Sequence, residues 1–195
     1  MSREGQKMRS EALRSQILDT ALEIGLTEGF DSLSVRKIIT KMQYSTSIIY
    51  HYFKNKQEII DAIVESESKK LGEKIAGLLD PDKSIVENIK QVFFMITMLA
   101  VHEPEKYNLV VFHKYSNRNA DFPVWISYIS DGLKHGISEG QIQPIDTEKA
   151  AFSIWSSFIG FHFMLTLREQ ISDLEAEELF KVQFNIIMKG ILTNE

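Results

Sequence analysis

The chain has 195 residues, of which 44% are hydrophobic and 25% charged, a balance that excludes a disordered polyelectrolyte and supports a proper buried core. Lys and Arg number 22 against 27 Asp and Glu, for a net charge of -5, so a uniformly basic nucleic-acid coat is excluded. With no cysteine, disulfides, thiolate metal sites and cysteine nucleophiles are excluded too. The charge is uneven along the chain: residues 1–56 carry nine basic and six acidic side chains, the remainder 13 and 21. A mildly basic head on an acidic body suits a protein that offers one end to a polyanion. The first seven residues lack the apolar stretch of a secretory signal, which sets the expectation of a cytoplasmic protein.

The periodicity is helical almost throughout. Leu13, Ile17, Ala21 and Ile24 define one buried face of a helix over residues 11–28, closed by Gly29 as a C-cap. Ser34 can cap a second helix to residue 42, with Val35, Ile38, Ile39 and Met42 inward, and Ser45 a third to about residue 53. A longer helix is expected over 56–79, weakened near its end by Gly72 and Gly77 and stopped by Asp80-Pro81. Five more follow at about 83–102, 105–115, 122–139, 146–168 and 173–193. They are separated by Glu103-Pro104, the polar run 116–119, Gly140 with Pro144, and Ser172-Asp173. Residues 150–167 carry no charge. Their Ser, His and Thr content points to a helix buried on more than one side rather than a membrane span.

The informative stretch runs from Leu33 to Lys56. Two short helices joined by a turn at Gln43-Tyr44 make a helix-turn-helix, whose second helix suits a major groove. Its first turn offers Ser45, Thr46 and Ser47, small hydroxyls that let the backbone approach DNA and can bond bases or phosphates. Ile48, Ile49 and Phe53 point back to hold it, and its N-terminal amides favour phosphate.

Aromatic and polar residues interleave in Ile49-Tyr50-His51-Tyr52-Phe53-Lys54-Asn55-Lys56. With the Gly29-Phe30 exit and Ser34-Val35-Arg36-Lys37-Ile38, this stretch resembles the TetR family of bacterial transcription regulators over about residues 10–57. Two positions depart from the family pattern: Ile39 stands where alanine is usual and Gln43 where the turn usually has glycine. The resemblance implies an all-α, nine-helix TetR-like architecture. It divides into a three-helix DNA-binding head, residues 1–56, and a ligand-binding and dimerisation body, residues 57–195. It implies that Arg36, Thr46 and Ser47 lie near base edges, and Ser34, Tyr50, His51 and Lys56 near phosphates. A core role for Tyr50 or Tyr52 stays open, and Lys37, Lys41 and Lys54 read as solvated charges.

For the body, the resemblance implies a small-molecule pocket among the middle helices and a dimer interface on the last two. Met95, Met98, Phe112, Trp125, Trp155 and Phe158 are adaptable thioethers and rings suited to an apolar or aromatic effector, with His102, His113 and His162 as polar candidates. Gly160 and Phe161 can meet a mate across a two-fold axis. Leu179, Val182, Phe184, Ile186, Ile187 and Ile191 exceed what a single buried stripe needs. No cofactor or metal is expected. No Ser-His-Asp grouping or phosphate loop suggests an enzyme. The expectation is a homodimeric, ligand-responsive repressor acting on a pseudo-palindromic operator in double-stranded DNA. The alternatives are a helical adaptor that has lost DNA binding, or an activator of the same fold.

Overall fold

The structure, a computed structural model, describes residues 3–112, 114–115, 122–168 and 170–192. His113 and the expected polar break at 116–119 lie outside the described residues. Among the described residues there are nine α-helices and no strand: α1 Arg3–Glu28, α2 Val35–Met42, α3 Thr46–Tyr52, α4 Lys56–Leu78, α5 Ile85–His102, α6 Pro104–Val110, α7 Phe122–Ser138, α8 Thr147–Thr166 and α9 Asp173–Lys189.

Most helix starts sit at the expected polar residues, but Ser45, expected to cap α3, stands before it without a side-chain capping bond. The side chains of Ser34, Asp146 and Ser172 each accept a backbone N–H three residues on, and Ser84 with Glu87 forms a reciprocal capping box before α5. The differences have local causes. α1 begins eight residues early, because residues 3–10 are polar and prolong an existing helix without an apolar stripe to announce them. A short 3-10 turn, Phe30–Ser32, follows Gly29, whose φ of +83° suits glycine. α6 ends at Val110 rather than near 115. α9 ends at Lys189 because the next residues turn to pair: the Gln143 N–H donates to Ile191 O at 3.0 Å, and Ile142 and Leu192 form an isolated antiparallel bridge.

The chain divides into two compact units, residues 1–71 with 105–120, and residues 72–104 with 121–195. The units therefore cut α4 in its interior and lend the first unit a later segment, unlike the functional division expected at residue 56.

In the first unit the inward stripe of α1 (Ile17, Ala21, Ile24) is buried with Phe30, Leu33, Ile38, Ile49, Phe53 and Ile59, Ile60 and Ile63 of α4. Phe30 lies so close to α1 that a Cβ on Gly25 would come within 2.4 Å of its ring, which is why the helix carries glycine there. The later segment adds buried Tyr107, Leu109 and Val110. It also sets Tyr115 against Phe30, ring centroids 5.1 Å apart. Gln57 Nε2 donates to Tyr115 O at 2.7 Å. Between α4 and α6 the Glu67 carboxylate is 3% exposed and pairs with Lys70 at 2.6 Å and Lys106 at 3.2 Å. Burial raises its pKa, but the hydrogen bonds and charges of the two lysines outweigh this and hold it below the usual carboxylate value.

In the second unit α5 supplies Ile89, Val92, Phe93, Ile96 and Ala100, α7 supplies Ile129 and Leu133, α8 Trp155, Phe158 and Leu165, and α9 Phe180, Phe184 and Met188. Of the described helices, Ile85–His102 is long and apolar enough to cross a membrane; its Ile89, Val92, Phe93, Ile96 and Ala100 are buried in the core. Thr97 and His162 form a fully buried polar pair. The Thr97 hydroxyl donates to Phe93 O at 2.8 Å, so its lone pair accepts from Nε2–H of fully buried His162 at 2.9 Å. Burial lowers the imidazole pKa to about 3.

These buried groups set the pH dependence of stability. His162 stays neutral in the fold but protonates when unfolded, so its contribution is whole above about pH 6.5 and declines as pH falls toward about 3, at about 1.4 kcal/mol per pH unit. Urea titrations from pH 7 to 4 should show this slope, and His162→Leu should flatten it. Glu67→Gln removes the anion between two lysines and should cost about 1–3 kcal/mol at pH 7. The depressed carboxylate pKa means the deficit against the parent shrinks as pH falls through the carboxylate range.

Candidate nucleic-acid interface and effector site

The turn between α2 and α3 is built on Gln43, in the left-handed region at φ 57° and ψ 34°. It is the only such non-glycine among the described residues. This conformation explains why glycine is usual at that place, and glutamine adopts it at a cost of about 1–2 kcal/mol. The Tyr44 N–H then reaches Ile39 O at 3.3 Å, which turns the chain into α3.

α3 is anchored by fully buried Ile49 and by Phe53 just beyond it. On its outer side Ser45, Thr46, Ser47, Tyr50 and His51 are exposed, as is Arg36 on α2. Ser47, Tyr50 and His51 recur at helical spacing and share one face. Tyr50 is 53% exposed, which disposes of the core role left open for it. The hydroxyls of Ser45 and Ser47 are 2.8 Å apart.

The other expected residues are held from behind. Ser34 is half-buried and caps α2 by accepting the Lys37 N–H at 3.2 Å. Lys56 is half-buried, its Nζ donating to Asp31 O at 3.2 Å. Tyr52 is half-buried and accepts from Ser10 Oγ at 3.1 Å, so it ties α3 to α1. Lys37 pairs with Glu28 at 2.6 Å and Lys41 with Glu23 at 2.7 Å. Sequence reasoning missed the part played by α1, where Ser10 meets Tyr52 and the Arg14 guanidinium lies 5.1 Å above the Phe53 ring. The spacing of Ser10 and Arg14 on the face of Ile17 was the available signal.

In the second unit, four of the expected effector residues come together. The indoles of Trp125 and Trp155 stack at 5.0 Å and 11°. Phe158 stacks on Phe93 at 4.0 Å and approaches His162 at 5.9 Å. A space of about 10 Å³, room for about one water-sized sphere, remains among Val92, Phe93, Ile96, Trp125, Tyr128, Ile129 and Trp155. Its lining carries no formal charge, and burial raises the pKa of the Tyr128 phenol, keeping it protonated. Met95 and Met98 are half-buried on α5. The remaining two stand elsewhere: His102 is exposed with Nε2 3.2 Å from the Asp173 carboxylate, and Phe112 belongs to the first unit, edge-on to Tyr107 at 5.2 Å. Phe93 and Tyr128 belong to the same aromatic-rich run of the sequence, whereas Ile129 was not foreseen, since apolar spacing alone does not distinguish a wall of a site from core.

Outside this layer, α8 and α9 leave large apolar side chains uncovered. Phe152, Phe163, Met164, Val182 and Ile186 are each more than half exposed, and a Cβ on Gly160 would meet open space.

Residues 17–63 match the family model described as bacterial regulatory proteins, tetR family. Over 191 residues the chain is 23% identical to the HTH-type transcriptional regulator YhgD of Bacillus subtilis, covering 91% of this chain and 96% of that one. Among solved structures, SmeT, the repressor of the Stenotrophomonas maltophilia multidrug efflux pump SmeDEF, has the same fold. Its TM-score is 0.74 at 17% identity, over 93% of this chain and 91% of that one. So does AibR, solved with isovaleryl coenzyme A and operator DNA, at a TM-score of 0.67 and 17% identity, over 89% and 96%. The proteins matched are transcriptional regulators rather than enzymes.

Proposed function

We propose that the chain is a member of the tetR family of bacterial regulatory proteins, whose model its residues 17–63 match, and that it is a homodimeric repressor released from its operator by a small, uncharged, apolar or aromatic molecule. The observation that carries the DNA half is the exposed polar face of α3, held by buried Ile49 and Phe53. Residues 1–56 read DNA and residues 57–195 sense and dimerise. Arg36, Thr46 and Ser47 meet base edges, where Arg36 can take guanine in bidentate fashion. Ser34, Ser45, Tyr50, His51 and Lys56 position the head on phosphates.

Two heads are needed because one short helix offers few base contacts, and a two-fold dimer matches a pseudo-palindrome. The uncovered apolar residues of α8 and α9 supply that interface, since water-facing Phe, Met, Val and Ile gain by mutual burial. The effector enters the aromatic layer of Trp125, Trp155 and Phe158, with Met95, Met98 and His162 alongside. A space of about 10 Å³ admits no such ligand, so binding needs the indole stack to part. The effector thereby selects a second conformation, and a coupling of about 1–3 kcal/mol is enough to weaken operator binding. The pairing of operator DNA with a small molecule on this fold in AibR supports the reading.

Selection of genomic fragments by the purified protein at about 150 mM salt, where non-specific binding is suppressed, should enrich a pseudo-palindromic site. Tyr50→Ala should fail to enrich it, and Thr46→Ala should broaden it. No enriched site with the parent protein would favour the adaptor, and a site lying where it stimulates its promoter would favour an activator. Ile186→Asp should yield a monomer by light scattering with helical circular dichroism retained, and should bind the selected site at least tenfold more weakly; a dimer that survives would move the interface elsewhere.

A further inference from the structure

The early start of α1 places basic side chains beside the DNA-facing helix. Lys7, Ser10 and Arg14 recur at intervals of three and four and so share one face, the face that runs on into buried Ile17, Ala21 and Ile24. Beyond the core this face is attached to the end of α3 at two points. Ser10 Oγ donates to the Tyr52 hydroxyl at 3.1 Å. The Arg14 guanidinium lies over the Phe53 ring at 5.1 Å. Tyr52 in turn carries the His51 imidazole edge-on, at 5.0 Å and 86°. The basic stripe is therefore one aromatic ring away from a side chain expected on phosphate.

Its charges are available to a polyanion. Lys7 is 78% exposed, and its ion pair with Glu11 is long, 3.8 Å, with the carboxylate 66% exposed; such a pair contributes little. The planar guanidinium fork of Arg14 suits phosphate oxygens. Lys7 lies about 10 Å along α1 from Arg14, about three base-pair rises of one strand. Arg9, by contrast, projects from the opposite side of α1 by helical register.

We propose that the first turns of α1 form a second phosphate-contacting element, in which Lys7 and Arg14 extend the backbone contact of α3 along the DNA beyond His51. The inference rests on the DNA-binding reading and adds residues to it. The element reads no bases; it adds sequence-independent affinity and fixes the head's angle on the duplex.

The test is the salt dependence of binding by the full chain, measured by fluorescence anisotropy on the selected duplex and on a mixed-sequence duplex. Removing one lysine or arginine from a phosphate should reduce the slope of log K against log salt by about 0.9. Lys7→Ala should show one such decrement on both duplexes and leave base preference unchanged. Lys7→Ala combined with Arg14→Ala should show two, and Arg14→Lys should keep the parent slope. Arg9→Ala removes the same charge from the other face and should leave the slope as in the parent. Thermal melts by circular dichroism check that the variants fold, and exposed Lys7 gives a variant whose fold is secure. An unchanged slope for Lys7→Ala, or an equal decrement for Arg9→Ala, overturns the element while leaving the α3 reading intact. A parent chain that binds neither duplex overturns both.

Discussion

A helix of seven residues does not hold itself together in water, because nucleation costs more than so few hydrogen bonds return. α3, Thr46–Tyr52, exists because Ile49 and Phe53 are taken into the first unit's core, each burial contributing about 1.5–3 kcal/mol. Every residue on its outer side is then released from a structural duty. That is the physical basis for six exposed polar or phenolic residues, Arg36, Ser45, Thr46, Ser47, Tyr50 and His51, sitting together on and beside α2 and α3.

The same head shows how the Lys56 side chain is positioned. Asp31 works at both ends: its carbonyl accepts from Lys56 at 3.2 Å, and its carboxylate lies 3.7 Å from Lys114. Phe30, one residue earlier, is pressed into the notch at Gly25 and carries Tyr115 on its other side. The corner between α1 and α2 is therefore where a segment distant in sequence grips the head.

The second unit solves a different problem. Its rings are stacked against one another, Trp125 on Trp155 and Phe93 on Phe158, and the one buried imidazole is kept neutral and satisfied by Thr97. Stacked rings part at the cost of dispersion contacts that a flat ligand restores. A charged ligand would find no counter-charge in this layer. Apolar burial thus both holds the unit together and sets the chemistry of what can enter it.

The helices, the turn chemistry and the helix-turn-helix motif were legible in the chain alone, because these depend on local rules: an apolar stripe at helical spacing, a capping serine, a proline that stops a helix. Ser34 was readable as a cap, and Ile49 and Phe53 as the inward residues of α3, from register. Packing in three dimensions settled which rings of the second unit meet, that His102 faces solvent while His162 is sealed in, and that residues 105–115 pack with the head. It also settled that polar residues at the start of α1 stand beside α3. In each case the deciding contact joins residues far apart in the chain, Ser10 to Tyr52 or Phe93 to Phe158, and periodicity specifies which side of a helix is apolar without specifying what that side packs against.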